Sequence, residues 1–477
     1  MASFHIENFG CRAARADGEA IASHLRALAE RETFASDVVV VNTCSVTAEA
    51  DRAARAFIRR AHRSNPAARI VVTGCYAQRA PQELAAMPGV AAVVGNSHKA
   101  LAPQIVFNLA RGVAETATGV SQAHPPSIIP VVSLLSASAP QTAPIWADDR
   151  FAHSFIEETH LAPGAQTRPN LKIQEGCGNR CTFCVIPLTR GPSCSLPAAT
   201  VMRQVEGFVA SGGKELVLSG INLGRWGRDF SSGLGRESLA DPGPESLAEL
   251  ICVILTQTAL PRLRLSSIEP MDWDENLIEL LRDFGSSRLT HHAHLPLQSG
   301  SDAVLRRMHR RYRPWHYADK VSALMRAAGP DLTLGADVMV GFPGETDREF
   351  EETLAFVRAL PFGYLHLFPF SPRPGTPGWA LHTASPVPPA VVEERMADLR
   401  ALAAEKTSLH RSRFVGRKLA AITLHTPQSL ADSGFTAALT ENFLPIDIEG
   451  QFPANQLLQV RVSALGFDSR LTGFQDL

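Results

Sequence analysis

Residues 171–191 read LKIQEGCGNRCTFCVIPLTRG. Cys177, Cys181 and Cys184 stand four and three residues apart, so one loop can wrap three sulfurs around a single cofactor. A closed tetrahedral zinc site needs a fourth protein ligand, and Cys194 or a distant histidine could be offered. An iron–sulfur cluster held by three thiolates instead keeps one iron open, and an open iron can bind substrate. What flanks this loop sets the fold around it.

From Pro169 to about Leu402, strand and helix patterns alternate. KELVLSG (214–220), RLRLSSIEP (262–270), THHAHLPLQSG (290–300), LTLGADVMVGFPG (332–344) and YLHLFPFS (364–371) read as strands that run into polar or Gly/Pro loops. SLAELICVILTQT (246–258) and REFEETLAFVRAL (348–360) are helical segments between them, and residues 393–413 read as a closing helix. Repeated βα units over this span predict an α/β fold, a full or partial (β/α) barrel of the TIM type.

Working outward, the amino-terminal residues 1–113 repeat the alternation. SFHIENFGC, DVVVVNTCSV and RIVVTGCY are apolar, β-branched runs, with helical spacing in the segments between them, which predicts a parallel α/β domain. Residues 114–165 are rich in Pro, Ala, Ser and Thr and read as a linker or insertion. The core α/β region is taken as 166–408. Residues 409–477 change character: LAAITLH, LPIDIEG and LLQVRVSAL alternate apolar and polar positions, predicting a small antiparallel β-barrel.

The chain has 477 residues, 46 basic and 47 acidic side chains and a net charge of −1, so any nucleic-acid surface must be a local patch. MASFHIENFG lacks the basic head and apolar core of a signal peptide. The apolar run SIIPVVSLLSASA is broken by Pro130 and is short of the ~18–20 residues of a spanning helix. A cytoplasmic protein is expected, with a monomer as the default. Eight cysteines in such a chain argue for metal binding or catalysis over disulfides.

Cys11, Cys44 and Cys75 each follow the end of a predicted strand, at intervals of 33 and 31 residues. Each interval accommodates one strand–helix crossover, so three distant thiolates can converge on one sheet edge and suit a soft metal or an iron–sulfur cluster. The alternative is three unrelated small core residues. Cys252 reads as a core residue of a helix, and Cys194 as a loop thiol. Gly212, Gly213 and Glu215 open a strand where backbone could approach a cofactor and a carboxylate could take an ammonium; a plain turn is the competing reading. Glu269 ends another strand, where a ribose hydroxyl could be met. His292 and His294 share a strand face and read as packing or hydrogen-bonding residues.

The Cys-three-Cys-two-Cys spacing closely resembles that of the radical S-adenosylmethionine enzymes. With NTCSVT, VTGCYAQ, KIQEGCGNRCTFCVIP and LPLQSGSDAVLRRMHR, the chain resembles the methylthiotransferases of that superfamily over nearly its whole length outside 114–165. SGINLGRWG, RLSSIEP, DVMVGFPGET and LHLFPFSPRPGTP are most similar to the branch that modifies threonylcarbamoyladenosine at tRNA position 37. TENFLPIDIEG and its flanks resemble the RNA-associated TRAM domain. The resemblance implies two 4Fe-4S clusters, an auxiliary one on Cys11, Cys44 and Cys75 and a radical-generating one on Cys177, Cys181 and Cys184. It also implies S-adenosylmethionine, a tRNA anticodon stem-loop as target, and a reduced flavodoxin or ferredoxin as electron donor. Cys194 and Leu196 stand where the family commonly carries arginines.

Two arginine-rich runs could serve RNA: Arg52, Arg55, Arg59 and Arg63 at helical spacing, and Arg306, Arg307, Arg310, Arg311 and Arg313 in RRMHRRYR. Either run alone reads better as a solvated face with acidic partners, and the β-barrel tail beside them tilts the balance towards RNA. The competing functions are a sister branch acting on isopentenyladenosine tRNA or a ribosomal protein, and a zinc-stabilised RNA-binding protein without catalysis.

Overall fold

Branched apolar residues at every second position set the first layer. The computed structural model describes residues 4–29, 37–111, 142–151, 161, 167–230, 243–285, 287–466 and 469–476, which fall into two compact units, Met1–Glu157 with Val185–Gly191, and Glu158–Cys184 with Pro192–Leu477. In the first unit, β1 (Phe4–Asn8), β2 (Val38–Thr43), β3 (Arg69–Gly74), β4 (Val90–Gly95) and β5 (Ile145–Trp146) form one parallel sheet in chain order. Val40, Val71 and Val94 pack with Ile21 and Leu25 of helix Arg12–Ala29 and Ile105 of helix Ala102–Ala110. Val41, Val72 and Val93 pack on the opposite face with Ala54 and Ile58 of helix Ala48–Ser64. Fully burying each such branched side chain stabilises the sheet by about 1.5–3 kcal/mol. Thr47 caps helix Ala48–Ser64 by accepting the Ala50 N–H at 3.2 Å.

β4 and β5 were not apparent as strands in the sequence. β5 lies inside the span read as a linker, where two residues complete the sheet by pairing with Val93 and Val94. Most of the rest of that span, including the apolar run at 127–139, lies outside the described residues.

In the second unit, β6 (Asn170–Glu175), β8 (Glu215–Gly220) and β9 (Arg262–Leu265) are parallel, and the two-residue β7 (Cys194–Ser195) pairs antiparallel with β6. β10 (His292–His294), β11 (Thr333–Val340) and β12 (Phe362–Pro369) form a second parallel set. The two sets meet where Leu263 bridges Leu289 and the Ile268 N–H donates to the His294 carbonyl at 3.0 Å. Six parallel strands with helices between them make the partial barrel that the alternation predicts. Helix Pro389–Ser412 closes it, as expected.

β13 (Lys418–Thr423), β14 (Phe435–Thr440), β15 (Pro445–Glu449), β16 (Leu457–Leu465) and β17 (Leu471–Gln475) close into the carboxy-terminal barrel, in the order β13-β14-β15-β17-β16. It belongs to the same compact unit as the central barrel. The β14–β15 turn explains why. Phe443 sits 4.3 Å from the His292 ring and 5.4 Å from the Tyr364 ring, with the Arg264 guanidinium 5.2 Å above it. One aromatic side chain thus closes the start of the central strands. Among the described residues no helix is long and apolar enough to cross a membrane.

Candidate metal centres

The parallel register brings the first three cysteines to one sheet edge. Asn8, Asn42 and Thr73 are level across β1, β2 and β3, and Cys11, Cys44 and Cys75 follow those strand ends. Gly10 has φ +99°, and a Cβ there would come within 2.5 Å of the Cys44 sulfur, so only glycine lets the first cysteine loop approach the second. Cys11 is exposed and Cys44 buried; the neighbouring Cys44 thiol, with help from Arg190, holds Cys11 below the ordinary thiol range, while Cys11 and burial push Cys44 well above it. Cys75 is buried, and its sulfur accepts from Arg190 Nε at 3.3 Å and Asn96 Nδ2 at 3.4 Å. Arg190 is fixed in turn by Asp17 Oδ2 at 3.0 Å.

The second set lies on the loop after β6. Cys184 N–H donates to the Cys181 carbonyl at 3.1 Å, which closes the loop into a turn. Asn222 Nδ2 lies 3.6 Å from the Cys177 sulfur, and the Asn179 N–H 3.4 Å from it. Burial nevertheless holds the Cys177 thiol above its usual value. Arg310 Nη1 donates to the Cys181 sulfur at 3.3 Å while its Nη2 lies 2.5 Å from Glu269 Oε2. Arg310 thus links Glu269, which follows β9 by four residues, to the cysteine loop.

Gly212, Gly213 and Glu215 stand apart from that loop. Glu215 begins β8, at the end of the strand opposite the cysteine loop, and is fully buried against Arg264 at 2.8 Å, Arg262 at 3.4 Å and Arg168 at 3.5 Å. Three guanidinium groups already satisfy the carboxylate that was read as a partner for a cofactor ammonium. A Cβ on Gly213 would lie 2.2 Å from the Phe208 ring, so this glycine serves packing, and the Gly212 carbonyl accepts from Asn455 Nδ2 at 3.1 Å. His292 and His294 act as hydrogen-bonding residues, with Tyr364 Oη at 2.8 Å and Ser267 Oγ at 2.6 Å. Cys194 lies in β7 rather than in a loop, opposite Glu175, and burial, Asp229 and Glu175 raise its thiol. Cys252 is half-buried on its helix.

No disulfide joins any of the eight cysteines. Among the described residues, no three His, Cys, Asp or Glu side chains converge closely enough for a single metal ion. Soft sulfurs in threes, approached by N–H donors, suit a cluster that spreads its charge over several atoms. Sequence reasoning did not assign these donors. Arg190, Asn222 and Arg310 lie within motifs it had singled out; Asn96 carried no signal at all.

The arginine runs divide. Arg306 pairs with Asp302 at 2.8 Å, Arg307 with Glu349 at 2.8 Å, Arg311 with Asp272 at 3.4 Å and Arg313 with Asp302 at 3.2 Å. On helix Ala48–Ser64, Arg55 meets Glu83 at 3.1 Å, while Arg52, Arg59 and Arg63 are exposed.

The partial barrel and its cysteine loop correspond to a known class: residues 171–357 match the Radical SAM superfamily, and residues 3–95 match the family described as Uncharacterized protein family UPF0004. The chain is 33% identical over 472 residues to the threonylcarbamoyladenosine tRNA methylthiotransferase MtaB of Bacillus subtilis (strain 168), covering 98% of this chain and 95% of that protein. It is also 33% identical over 407 residues to the tRNA-2-methylthio-N(6)-dimethylallyladenosine synthase of Novosphingobium aromaticivorans, covering 84% and 81%. Among solved structures, the radical S-adenosylmethionine methyltransferase TsrM from Kitasatospora setae aligns with a TM-score of 0.42 and 16% identity, over 72% of this chain and 66% of that one. The chain belongs to the radical S-adenosylmethionine tRNA methylthiotransferase family. It is an enzyme, and membership implies S-adenosylmethionine and a 4Fe-4S cluster as cofactors. A zinc-stabilised protein without catalysis is set aside on that ground.

Proposed function

We propose that this enzyme adds a methylthio group to carbon 2 of threonylcarbamoyladenosine at position 37 of tRNA, using two 4Fe-4S clusters. The observation that carries the reading is the pair of cysteine triads, the first after three neighbouring parallel strands and the second on the loop after β6, each approached by nitrogen donors. Cys177, Cys181 and Cys184 would hold the radical-generating cluster, and Cys11, Cys44 and Cys75 the auxiliary one. Bound there, the clusters would supply redox chemistry and S-adenosylmethionine a carbon radical and a methyl group, while the chain supplies position and charge.

Arg310 performs both tasks at the second triad. It donates to the Cys181 sulfur and to Glu269 at once, fixing the carboxylate beside the loop. Asn222 and the Asn179 N–H orient the Cys177 sulfur. At the first triad Arg190 and Asn96 place positive charge and an amide dipole on Cys75. The thiols of both triads must lose their protons when they become ligands, so loading releases protons and is favoured by rising pH.

Residues 1–113 would form the auxiliary-cluster domain, 166–408 the radical domain and 409–477 an RNA-binding barrel of the TRAM kind. The target would be the anticodon stem-loop, where the base is accessible without opening a duplex. The electron donor would be a reduced flavodoxin or ferredoxin, and the location the cytoplasm. The relative from B. subtilis supports the threonylcarbamoyl substrate by its name. The dimethylallyladenosine synthase, equally identical, supports a second reading in which isopentenyladenosine is the target.

Anaerobically reconstituted protein is expected to bind about eight irons with matching sulfide, four for each cubane. Zinc without sulfide would overturn the reading. Mass spectrometry of tRNA nucleosides from a deletion strain decides the substrate: loss of the methylthio-threonylcarbamoyl nucleoside supports the proposal. Its persistence, with no second enzyme present, refutes it.

A further inference from the structure

The two arginine runs differ in what faces them. Every arginine of RRMHRRYR meets a carboxylate, Arg310 included, through Glu269. On helix Ala48–Ser64, Arg55 is held by Glu83 and the Tyr76 hydroxyl, and Asp51 turns inward to Arg79 at 2.8 Å. Arg52, Arg59, Arg60 and Arg63 are exposed, and among the described residues none of the four forms an ion pair. Glu49, in the first turn, is the other acidic side chain of the helix.

Helical geometry lines these cations up. Positions 52, 59 and 63 fall within an arc of about 40° and along about 16 Å of the axis, with position 60 beside them. Ala54 and Ile58 occupy the opposite side, buried against the sheet. The stripe does not serve its own helix. Arg55, Arg59 and Arg63 stand four residues apart in turn, where like charges repel and destabilise a helix. Arg63, in the last turn, complements the helix dipole, but Arg52 and Arg59 lie further in and gain nothing from it. A row of charge that folding does not need points to a partner outside the chain.

Its chemistry fits a polyanion better than a protein surface. Protein interfaces centre on apolar and aromatic side chains. Among the described residues, no large apolar side chain of this helix is exposed, and Phe57 lies half-buried with the Arg60 guanidinium 5.4 Å from its ring. The planar fork of each arginine matches phosphate oxygens. In a chain of net charge −1, attraction to RNA must come from such a local array. The helix starts just after Cys44, at the sheet edge that carries the first cysteine triad, so a strand held along the stripe runs up to that edge.

We propose that the arginine face of helix Ala48–Ser64 holds the phosphate backbone of the tRNA substrate, with Arg52, Arg59 and Arg63 as the contacting groups and Arg60 flanking them. The inference rests on the reading that the enzyme acts on tRNA.

The test is anisotropy titration of the reconstituted enzyme with a labelled tRNA transcript over a series of salt concentrations. Arg52→Gln with Arg59→Gln and Arg63→Gln removes three phosphate contacts. It should reduce the slope of log affinity against log salt by about 2–3 and weaken binding at low salt by about tenfold or more. The triple Arg→Lys variant keeps the charge and should recover most of the slope. Arg282→Gln with Arg306→Gln and Arg348→Gln removes as many charges from exposed arginines already paired with carboxylates, and should keep the wild-type slope. Thermal midpoint and iron content of the first triple should not fall, because only exposed side chains change and like-charge repulsion is relieved. A glutamine triple that folds and binds with the wild-type slope overturns the assignment, and so does an equal loss of slope in the charge-matched control. Normal tRNA binding with slower reduction by an acidic flavodoxin would show that the face docks a protein, and overturns the RNA assignment too. Wild-type enzyme that shows no salt-dependent tRNA binding instead overturns the tRNA reading beneath it.

Discussion

Cys181→Ala is expected to abolish cleavage of S-adenosylmethionine, whereas Cys44→Ala is expected to retain cleavage and lose sulfur insertion. The first outcome follows from the ligand count. Three thiolates on one loop have no spare, and the nearest alternative, Cys194, is tied into β7 opposite Glu175. The guanidinium of Arg310 would also lose its sulfur partner and keep only Glu269. The second outcome follows from separation along the fold. Cys44 lies at the end of β2, in the other compact unit from Cys181. Removing it leaves the Cys177–Cys184 loop and its donors intact. Measuring 5′-deoxyadenosine and methylthiolated nucleoside in the same reaction separates the two activities. Equal loss of both in Cys44→Ala would refute the division of labour between the triads. A graded companion is Arg310→Gln, expected to lower activity about 10–100-fold, the range for groups that orient a metal ligand without ligating.

Glu215→Ala destabilises the second unit by about 3–5 kcal/mol, the cost of leaving buried cations without their counter-charge. Arg264 and Arg262 approach the carboxylate at 2.8 and 3.4 Å, and Arg264 continues to the Thr440 carbonyl at 3.1 Å. The loss should therefore reach the carboxy-terminal barrel, whose Phe443 packs under the same guanidinium. Burial raises the Glu215 carboxyl, but Arg264, Arg168 and Arg262 together outweigh it and hold the group below its ordinary value. A carboxylate lowered in the folded state stabilises above its unfolded pKa, and that contribution disappears as pH falls through the folded value. The thermal midpoint of wild type should accordingly exceed that of Glu215→Gln at neutral pH, and the gap should narrow in acid below the usual glutamate range. Equal midpoints at neutral pH would show that the ion cluster adds nothing.

The same residue marks where sequence reading stopped. Two glycines and a glutamate at the start of a strand look alike whether a cofactor or an arginine lies opposite. Strand direction decides, because substrate loops gather at the ends of parallel strands and Glu215 is at a beginning. β5 went unseen for a related reason. Two residues carry no period, and only pairing with β4 makes Ile145–Trp146 a strand. Asn96 acquires a role only because β4 ends beside Cys75, which places its amide 3.4 Å from that sulfur.

What the sequence determined by itself was local or periodic. The three-cysteine loop, the alternation of βα units and the strand–turn–cysteine repeat of Cys11, Cys44 and Cys75 depend on short-range spacing, which a linear chain displays directly. Tertiary structure decided everything that depends on which strands become neighbours. That includes the arginine and asparagine donors at the sulfurs, the transfer of Glu215 from cofactor to ion cluster, and Phe443 beneath the central barrel. Each joins residues from different elements, and no spacing along the chain records those distances.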